Sequence, residues 1–295
     1  FYQGGTYRVL YEGSGELDFW AAGRVVDRAA GRLTVEVTAS RGPIWLRLKS
    51  TDPANPVRNI RVLRPGADAA TGANAFHADF LQRWQGMSCI RFMDWMETNG
   101  SKQSTWKDRP RPADARFTEK GVPLEVMIDL CNRWGADPWF CMPHLADDNY
   151  VQQFAELTRT RLAPHLKVYV EYSNEVWNDQ FEQARHAQTA SRAAGLSRSA
   201  WTAVRSVHTF SIWEKVFGGN QRLVRVFPSQ AANSHLSQEM LKHQDLAKRG
   251  DVLAIAPYIS LNVPMTGQGL TASEVERWTL DKLLDHLESK ALPEC

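Results

Sequence analysis

Residues 167–178 read KVYVEYSNEVWN, a run of β-branched and aromatic residues that ends in a polar cluster. Alternation along a strand places Glu171 and Glu175 on one face and Asn174 on the other. Two carboxylates on one face at the end of a strand are costly to bury without partners. Repulsion and desolvation raise a carboxyl pKa, which is what a general acid needs near neutral pH. The alternative is a solvated strand end whose glutamate caps the next helix.

Strand and helix patterns alternate on both sides of this stretch, from about Asn59 to the end of the chain. Six strand–helix units can be counted, and their strands read NIRVLRPG, SCIRFMDWM, DPWFCMPH, KVYVEYSNE, RLVRVFPSQ and DVLAIAPY. Strands spaced by helices favour a parallel sheet with right-handed crossovers. The pattern predicts an α/β fold, a (β/α)8 TIM-type barrel that is incomplete in this chain.

The first part of the chain has a different pattern of predicted secondary structure, with β-strands and no helices. Residues 1–56 contain four short β-rich runs, TYRVLYEG, GELDFW, GRLTVEVTAS and PIWLRLKS, separated by turn-forming residues. DPANP, at Asp52–Pro56, then marks a break. We therefore expect a small, sandwich-like β segment over 1–56 and a partial barrel, the catalytic-type domain, over 57–295.

Composition narrows the class of protein. The chain has 295 residues and a formal net charge of +2, which argues against an electrostatic footprint for nucleic acid. No apolar run in the sequence has the length of a membrane span, and we expect no signal peptide within it. The eleven tryptophans are the exception to an ordinary composition. Tryptophan faces suit sugar stacking, although core packing explains most of them.

Cysteine usage points to thiols rather than to a disulfide or metal framework. Cys89 and Cys141 fall in predicted strands and Cys131 in an apolar helix, so we expect buried free thiols. Cys295 lies at the end of the chain. The four positions show neither close pairing nor metal-ligand spacing.

The predicted strands are followed by polar and aromatic residues rather than by a glycine-rich phosphate loop. These residues are Asp94, Trp95, His144, Asn174, Glu175, Gln230 and Tyr258. In a (β/α)8 barrel the carboxyl ends of the strands build the active site. We therefore expect chemistry at these positions and not at a dinucleotide site.

With these residues in place, the chain resembles the clan A glycoside hydrolases, retaining barrel enzymes that include the family 5 cellulases and mannanases. The segment Glu171-Tyr172-Ser173-Asn174-Glu175 matches the end of their fourth strand. The resemblance implies that Glu175 is the general acid/base and that Asn174 hydrogen-bonds a sugar 2-hydroxyl. Bacterial proteins described as cellulase-like or cellulose-binding are also similar, through their NEVWN and RFMDWM segments.

The same resemblance extends to other strand ends. Arg91 matches an arginine beside the nucleophile, His144 a histidine after the third strand, and Tyr258 a tyrosine on the sixth. Two features depart from the family. Val176 stands where proline often follows Asn-Glu, and no seventh strand carrying a nucleophilic glutamate is present. Glu294 lacks a surrounding strand pattern, so we expect the nucleophile beyond residue 295 in a longer protein.

Several of these residues have competing interpretations. Arg91 could instead form a structural ion pair with Asp94 or Glu171. His144 could make a loop hydrogen bond or cap a helix rather than bind substrate. Asp147 and the aspartate after it more plausibly cap a helix than bind zinc with His144.

The aromatic and carboxylate candidates for substrate contact are likewise open. Trp95, Trp106 and Trp177 are the candidates for sugar stacking, and ordinary packing is at least as good an explanation for each one. Trp106 lies in a long loop, which favours a functional role for its surroundings. With Asp94 and Glu171 they complete the predicted substrate-binding set.

The resemblance implies a retaining hydrolase of a β-linked polysaccharide such as a cellulose-like glucan or a mannan. Its partner would be the polysaccharide or an oligosaccharide, with no nucleic acid, no membrane and no metal or organic cofactor, and it would be secreted. The alternatives are a non-catalytic carbohydrate-binding protein and an assembly component with a degenerate barrel. Six units cannot close an eight-stranded barrel, so we expect open strand edges and, as a consequence, low solubility, self-association or dependence on further chain.

Overall fold

The computed structural model describes residues 2–39, 42–67, 76–231, 233–243, 246–256 and 272–291. It divides the chain into two compact units, one formed by residues 1–83 and one by residues 84–295. The predicted site residue Tyr258, the tail residue Glu294 and the fourth cysteine, Cys295, lie outside the described residues.

The first unit consists of antiparallel strands. They are β1 (Gly5–Glu12), β2 (Gly15–Ala21), β3 (Gly23–Ala29), β4 (Arg32–Val37), β5 (Ile44–Thr51) and β6 (Arg58–Leu63), followed by helix α1 (Ala78–Arg83). A four-stranded sheet has the order β3-β4-β1-β6, and β2 pairs with β5. Alternate residues of both sheets share one core, as with Val9 and Val35 of the larger sheet and Leu17 of β2.

The last strand of this unit corrects the expected domain boundary. NIRVLRPG does form a strand, but β6 pairs antiparallel with β1, with Val62 opposite Val9. It is therefore a strand of the first unit and not the first strand of a barrel. The division lies after Arg83 rather than after Pro56. A short run of alternating residues cannot reveal which sheet it will join, because both sheet types bury the same pattern.

The second unit contains a sheet of five parallel strands. They are β7 (Cys89–Arg91), β8 (Asp137–Met142), β9 (Val168–Tyr172), β10 (Leu223–Pro228) and β11 (Val252–Ala254), in the order β11-β10-β9-β8-β7. The sheet curls into a half-barrel. β8, β9 and β10 are buried along most of their length, as expected for parallel strands that are covered on both faces.

Helices connect the strands. They are α2 (Leu124–Trp134), α3 (Asp148–Arg161), α4 (Glu182–Ala193), α5 (Arg198–Phe217), α6 (Ser234–Leu241) and α7 (Leu246–Arg249), with α8 (Ala272–Val275), α9 (Leu280–His286) and a π-helical turn (Leu287–Ala291) after β11. Local signals set their ends. Asp147 caps α3 by accepting the Tyr150 amide at 2.6 Å, which confirms the capping interpretation, and α2 ends at Gly135 with φ of 67°.

Aromatic side chains fill the layer between the parallel sheet and its helices. Phe140 of β8 stacks on Phe92 and meets the edge of Phe154 on α3, with ring centroids 5.7 and 5.0 Å apart. Phe154 also contacts Trp213 of α5, which is fully buried. Because Phe140 faces the helices, its neighbours Trp139 and Cys141 face the opposite side of the sheet. That opposite face carries the candidate site.

The predicted fold class is confirmed in its coarser form. The protein is a mixed α/β structure with a parallel sheet that follows a β-rich segment. The described part of the chain contains five parallel strands rather than six, because β6 belongs to the antiparallel unit. Within that described part, no helix combines the length and the apolar character needed to cross a lipid bilayer.

The prediction of free thiols is confirmed for the three described cysteines, Cys89, Cys131 and Cys141. Cys131 and Cys141 are fully buried, and Cys89 is half-buried. Burial raises the pKa of Cys89 to about 11, so this thiol is a poor nucleophile at neutral pH.

Removal of the Trp213 side chain should destabilise the second unit strongly. Trp213→Ala leaves a cavity between α3 and α5, and we expect a loss of about 3–5 kcal/mol in the free energy of unfolding by urea denaturation. Trp84→Ala removes a ring that is 47% exposed and serves as the control, with an expected loss below about 0.5 kcal/mol. Equal losses in the two variants would contradict this packing.

Candidate functional site

The carboxylate of Glu171 is the most constrained group on the inner face of the parallel sheet. Its residue is 1% exposed, and Arg91 grips it with three contacts, from Nε to Oε2 at 3.2 Å and from one terminal nitrogen to Oε1 and Oε2 at 3.1 and 2.9 Å. The indole nitrogen of Trp139 donates to Oε2 at 2.7 Å, and the Cys141 thiol donates to the same oxygen at 3.3 Å. This charge is buried but well paired.

Strand register explains why these groups meet. β8 and β9 pair with Cys141 opposite Glu171 and Trp139 opposite Tyr169, and β7 pairs with β8 with Arg91 opposite Trp139. All five side chains therefore project from the same face of three neighbouring strands. Trp139 is held between Tyr169, which stacks at 5.5 Å, and the Arg91 guanidinium, 5.2 Å from its ring centre.

Burial and pairing act in opposite directions on the protonation of Glu171. Full burial raises the pKa of Glu171, while Arg91, Cys141 and Trp139 oppose that rise by favouring the charged form. Burial also raises the pKa of the adjoining Cys141 thiol well above its usual value, so the thiol stays protonated and can act as a donor.

The chain turns sharply immediately after β9. Ser173 and Glu175 both have positive φ, 59° and 42°, a left-handed conformation that costs a non-glycine residue roughly 1–2 kcal/mol. The strand alternation expected over Glu171–Glu175 therefore stops at Tyr172. Strand alternation predicts that Asn174 and Glu171 lie on opposite faces. The turn instead brings Asn174 to the same side as Glu171, and Arg91 contacts both residues. Strain of this kind is often found at functional sites.

Hydrogen bonds fix both residues of the Asn-Glu pair. Asn174 accepts from Arg91 at 2.9 Å and donates to Asn99 at 3.0 Å. The Glu175 side chain accepts from Asn178 Nδ2 at 2.8 Å, and its backbone carbonyl accepts the Asn178 amide at 2.9 Å. Asn174 is buried, whereas Glu175 is half-buried and accessible from the cavity.

A cavity of about 410 Å³ opens at the carboxyl ends of the strands. Its polar lining residues are Arg91, Glu171, Asn174, Glu175 and Ser229. Its apolar lining comes from Trp139, Pro228 and the segment Val252–Ala256, which includes the end of β11. A ligand that fits this lining presents both hydroxyl or other polar groups and an apolar face.

The structure thus brings together four of the predicted site residues: Arg91, Glu171, Asn174 and Glu175 all line this cavity. Of the two ion pairs considered for Arg91, the one with Glu171 forms. Asp94 is exposed in the turn that follows β7 and is not among the described residues of the cavity wall. Tyr258 cannot be placed, because it lies outside the described residues.

His144 lies elsewhere, against helix α4. Its ring meets His186 edge-on, with centroids 5.3 Å apart, and its backbone carbonyl accepts the Tyr172 hydroxyl at 3.3 Å. Burial, and to a smaller extent the charge of nearby His186, lower the pKa of His144 to about 4. The side chain of Tyr172 projects to the helix side of β9, away from Glu171, which explains why its partner is also remote from the cavity.

The three tryptophans predicted to stack on sugars make other contacts. Trp95 packs on Phe92, and Trp106 meets the edge of Tyr150 with Arg109 over its face. Trp177 donates from its indole nitrogen to the Ser229 carbonyl at 3.1 Å, behind the cavity wall. None of the three is among the described residues that line the cavity.

Sequence reasoning missed Trp139, Cys141, Asn99 and Gln183. The period-two pattern of DPWFCM is the signal that places Trp139 and Cys141 on one face of the strand. Asn99 and Gln183 lie in a loop and on a helix, and nothing in their local sequence indicates that they meet. Among the described residues, no group of three or more His, Cys, Asp or Glu side chains is arranged to hold a metal ion.

Comparisons of the chain with protein-family models, with curated proteins and with solved structures found no match.

Loss of Arg91 should destabilise the protein because it leaves Glu171 buried without its cation. We expect Arg91→Leu to cost about 3–5 kcal/mol at pH 7 in urea denaturation. The double variant Arg91→Leu/Glu171→Leu should recover part of that loss, because the unpaired charge is gone. A double variant less stable than the single one would contradict this account.

The cost of Arg91→Leu should also depend on pH. Without the guanidinium, the pKa of Glu171 rises further, so the folded variant binds a proton that the unfolded chain has released. Folding then takes up protons, and stability falls as pH rises above the unfolded pKa of about 4.5. We expect the variant to be closer to the wild type at pH 5 than at pH 7, as measured by paired urea titrations.

Whereas the stability of Arg91→Leu should fall as pH rises, His144 should lower the stability of the folded protein as pH falls. Because its pKa in the folded protein is about 4, the unfolded chain binds more protons between about pH 6.5 and pH 4, so stability falls as pH falls through that window. His144→Phe should shift the midpoint of acid unfolding to lower pH. Exposed His208→Phe is the control, and an equal shift in both variants would contradict a specific role for His144.

Proposed function

We propose that the protein is a glycoside hydrolase that cleaves a β-linked polysaccharide, with Glu175 as the general acid/base. One observation carries the proposal: a half-buried carboxylate lies beside a buried, oriented amide, Asn174, in a cavity at the carboxyl ends of parallel strands. The sequence resemblance to clan A glycoside hydrolases assigns the same roles to the same two residues. We also propose that the half-barrel is part of a (β/α)8 barrel, in which this end of the strands holds the chemistry.

The two carboxylates of the cavity would have different roles. Glu171 is held by Arg91, Trp139 and Cys141, so it organises the site and is not available to attack a substrate. The Glu175 carboxylate accepts a hydrogen bond from the neutral side chain of Asn178 and reaches the cavity, so it can exchange a proton with a ligand.

Hydrolysis would follow the two-step retaining scheme. In the first step Glu175 donates its proton to the glycosidic oxygen while a nucleophilic carboxylate attacks the anomeric carbon and the leaving sugar departs as an alcohol. In the second step the Glu175 carboxylate takes a proton from water, whose oxygen attacks the anomeric carbon and releases the nucleophile. The nucleophile would stand about 5–5.5 Å from Glu175 and is proposed to lie outside the described residues.

The cavity walls support a saccharide as the ligand. Asn174 and Ser229 offer amide and hydroxyl groups to sugar hydroxyls, while Pro228 and the end of β11 offer an apolar surface to the C–H face of a pyranose ring. A polymeric substrate would be met outside the cell. Neither a metal nor an organic cofactor is required by this scheme.

A carbohydrate-binding protein that uses the same cavity is the second candidate. The engagement of Glu171 by Arg91 favours it, because only Glu175 then remains for acid/base chemistry among the described cavity residues. The two candidates predict the same ligands and differ in turnover.

The Glu175→Gln variant separates them. In a longer protein that includes the proposed nucleophile, we expect this substitution to lower the release of reducing ends from soluble β-glucan or mannan by at least about 100-fold, since general acid catalysis contributes 10²–10⁴-fold. Binding of the matching oligosaccharide, measured by calorimetry, should change little. Asp179→Asn removes an exposed carboxylate from the same turn, paired with Arg198, and is the control.

Each outcome of this experiment has a distinct meaning. Wild-type binding without any turnover would support the carbohydrate-binding protein. Turnover that survives in Glu175→Gln would remove the acid/base assignment. If the wild-type protein neither bound nor cleaved any β-glucan or mannan, both candidates would be excluded for those substrates.

A further inference from the structure

We infer that Gln183, on helix α4, is a positioning residue that holds the Asn174–Glu175 turn and the loop after β7 as one rigid piece. Gln183 is fully buried, and its side chain makes three hydrogen bonds. Its amide nitrogen donates to the Asn174 carbonyl at 2.9 Å and to Asn99 Oδ1 at 2.6 Å, and its oxygen accepts the Gly100 amide at 3.0 Å.

The orientation of every amide in this cluster follows from groups that can act in one way only. Arg91 is only a donor, so the atom of Asn174 that it contacts is the oxygen, and the nitrogen of Asn174 faces Asn99. The Gly100 N–H is only a donor, so the atom of Gln183 that it contacts is the oxygen. The nitrogen of Gln183 must then face the Asn174 carbonyl and Asn99 Oδ1, both of which are acceptors.

The cluster is therefore continuous from the buried ion pair to the helix. Glu171 holds Arg91, Arg91 holds the side chain of Asn174, and Gln183 holds its backbone carbonyl. Asn174 is thus gripped at the side chain and at the backbone, between the two left-handed residues Ser173 and Glu175. Buried networks in which every member is satisfied fix a unique geometry.

This grip matters for Glu175, which follows Asn174 in the chain. A left-handed conformation at a glutamate persists only where its surroundings impose it. The peptide carbonyl held by Gln183 belongs to the bond that joins Asn174 to Glu175, so it determines the direction in which the Glu175 side chain leaves the backbone. Gln183 does not line the cavity among the described residues, and its effect on a ligand would pass through Asn174 and Glu175.

Two variants of Gln183 separate its donor from its acceptor role. Gln183→Leu removes all three hydrogen bonds at similar volume. Gln183→Glu keeps the acceptor for Gly100 but places a second oxygen against the Asn174 carbonyl and Asn99 Oδ1, where a donor is required. Protonation of the new carboxyl restores one donor, so the Glu variant should recover at low pH and the Leu variant should not. Gln188→Leu, half-buried on the same helix, is the control.

Amide hydrogen exchange measured by NMR tests the inference without any substrate. We expect exchange of the Gly100 amide to accelerate by about 10-fold or more in Gln183→Leu and to change less in Gln183→Glu. The Asn178 amide, which closes the Glu175 turn, should exchange faster than in the wild type in both variants at pH 7, and in Gln183→Glu its rate should return toward that of the wild type at the same pH near pH 5. Gln188→Leu should leave both amides unchanged.

Results that would overturn the inference are equally specific. Unchanged exchange at Asn178 in Gln183→Leu would show that the turn does not depend on Gln183. A uniform acceleration of α3 and α5 amides as well would show a general loss of stability instead of local positioning. An equal response at all pH values in Gln183→Glu would remove the donor role.

A second test, by steady-state kinetics, rests on the proposed hydrolase function. We expect Gln183→Leu to lower kcat by about 10- to 100-fold with a smaller change in KM, because misplacement of a reacting group by about 1 Å has effects of this size. An absence of turnover in the longer wild-type protein that includes the proposed nucleophile would refute the hydrolase and leave the exchange result intact. A KM effect with unchanged kcat would refute the positioning of Glu175.

Discussion

The burial of one carboxylate, that of Glu171, is the constraint on which the inner face of the parallel sheet depends. A carboxylate at 1% exposure is tolerated only when its charge and its lone pairs are satisfied. Three neighbouring strands supply the partners: Arg91 from β7, Trp139 and Cys141 from β8, and the carboxylate itself from β9. These contacts specify the register of all three strands, because a shift of one residue would turn the partners away.

The same ion pair extends into the segment that follows β9. One terminal nitrogen of Arg91 reaches both Glu171 and Asn174, so the position of the buried charge determines the position of the amide at the cavity wall. The strained turn at Ser173 and Glu175 is then held from two sides, by Arg91 and by Gln183. Two glutamates four residues apart acquire different environments in this way. One is anchored and the other reaches the cavity, which is how a single strand end could serve both structure and chemistry.

The strength of particular sequence signals explains how much could be predicted. The strands KVYVEYSNE and DPWFCMPH and the helix GVPLEVMIDLCNRWGA were identifiable because their apolar periods are strong and their ends carry clear signals, such as Gly135 after α2. Strand β3, Gly23–Ala29, is not indicated by the sequence because GRVVDRA does not alternate strictly between apolar and polar residues; the strand lies at a sheet edge and most of its residues are exposed. The run NIRVLRPG was correctly identified as a strand and assigned to the wrong sheet, since pairing partners depend on contacts remote in sequence.

The candidate site shows the same division between local and remote information. Arg91, Glu171, Asn174 and Glu175 were found because each follows or ends a strand in a parallel arrangement. His144 follows a strand as well, but the turn after β8 directs its ring toward His186 on α4. The chemistry of a tryptophan side chain does not indicate where it will lie, and the sequence does not show that Trp177 donates to the Ser229 carbonyl. The role of Gln183 cannot be predicted from its local sequence, because Gln183 contributes to the site only through tertiary contacts.

The most direct measurement of the central claim is a crystal structure of the Glu175→Gln protein with a β-1,4-linked gluco- or manno-oligosaccharide. The account predicts a sugar chain along the cavity between the Arg91–Asn174 wall and the end of β11. The amide of residue 175 should lie within about 2.6–3.2 Å of a glycosidic oxygen, the reach required for proton transfer. A saccharide bound elsewhere, or a chain whose glycosidic oxygens all lie beyond that reach of residue 175, would contradict it.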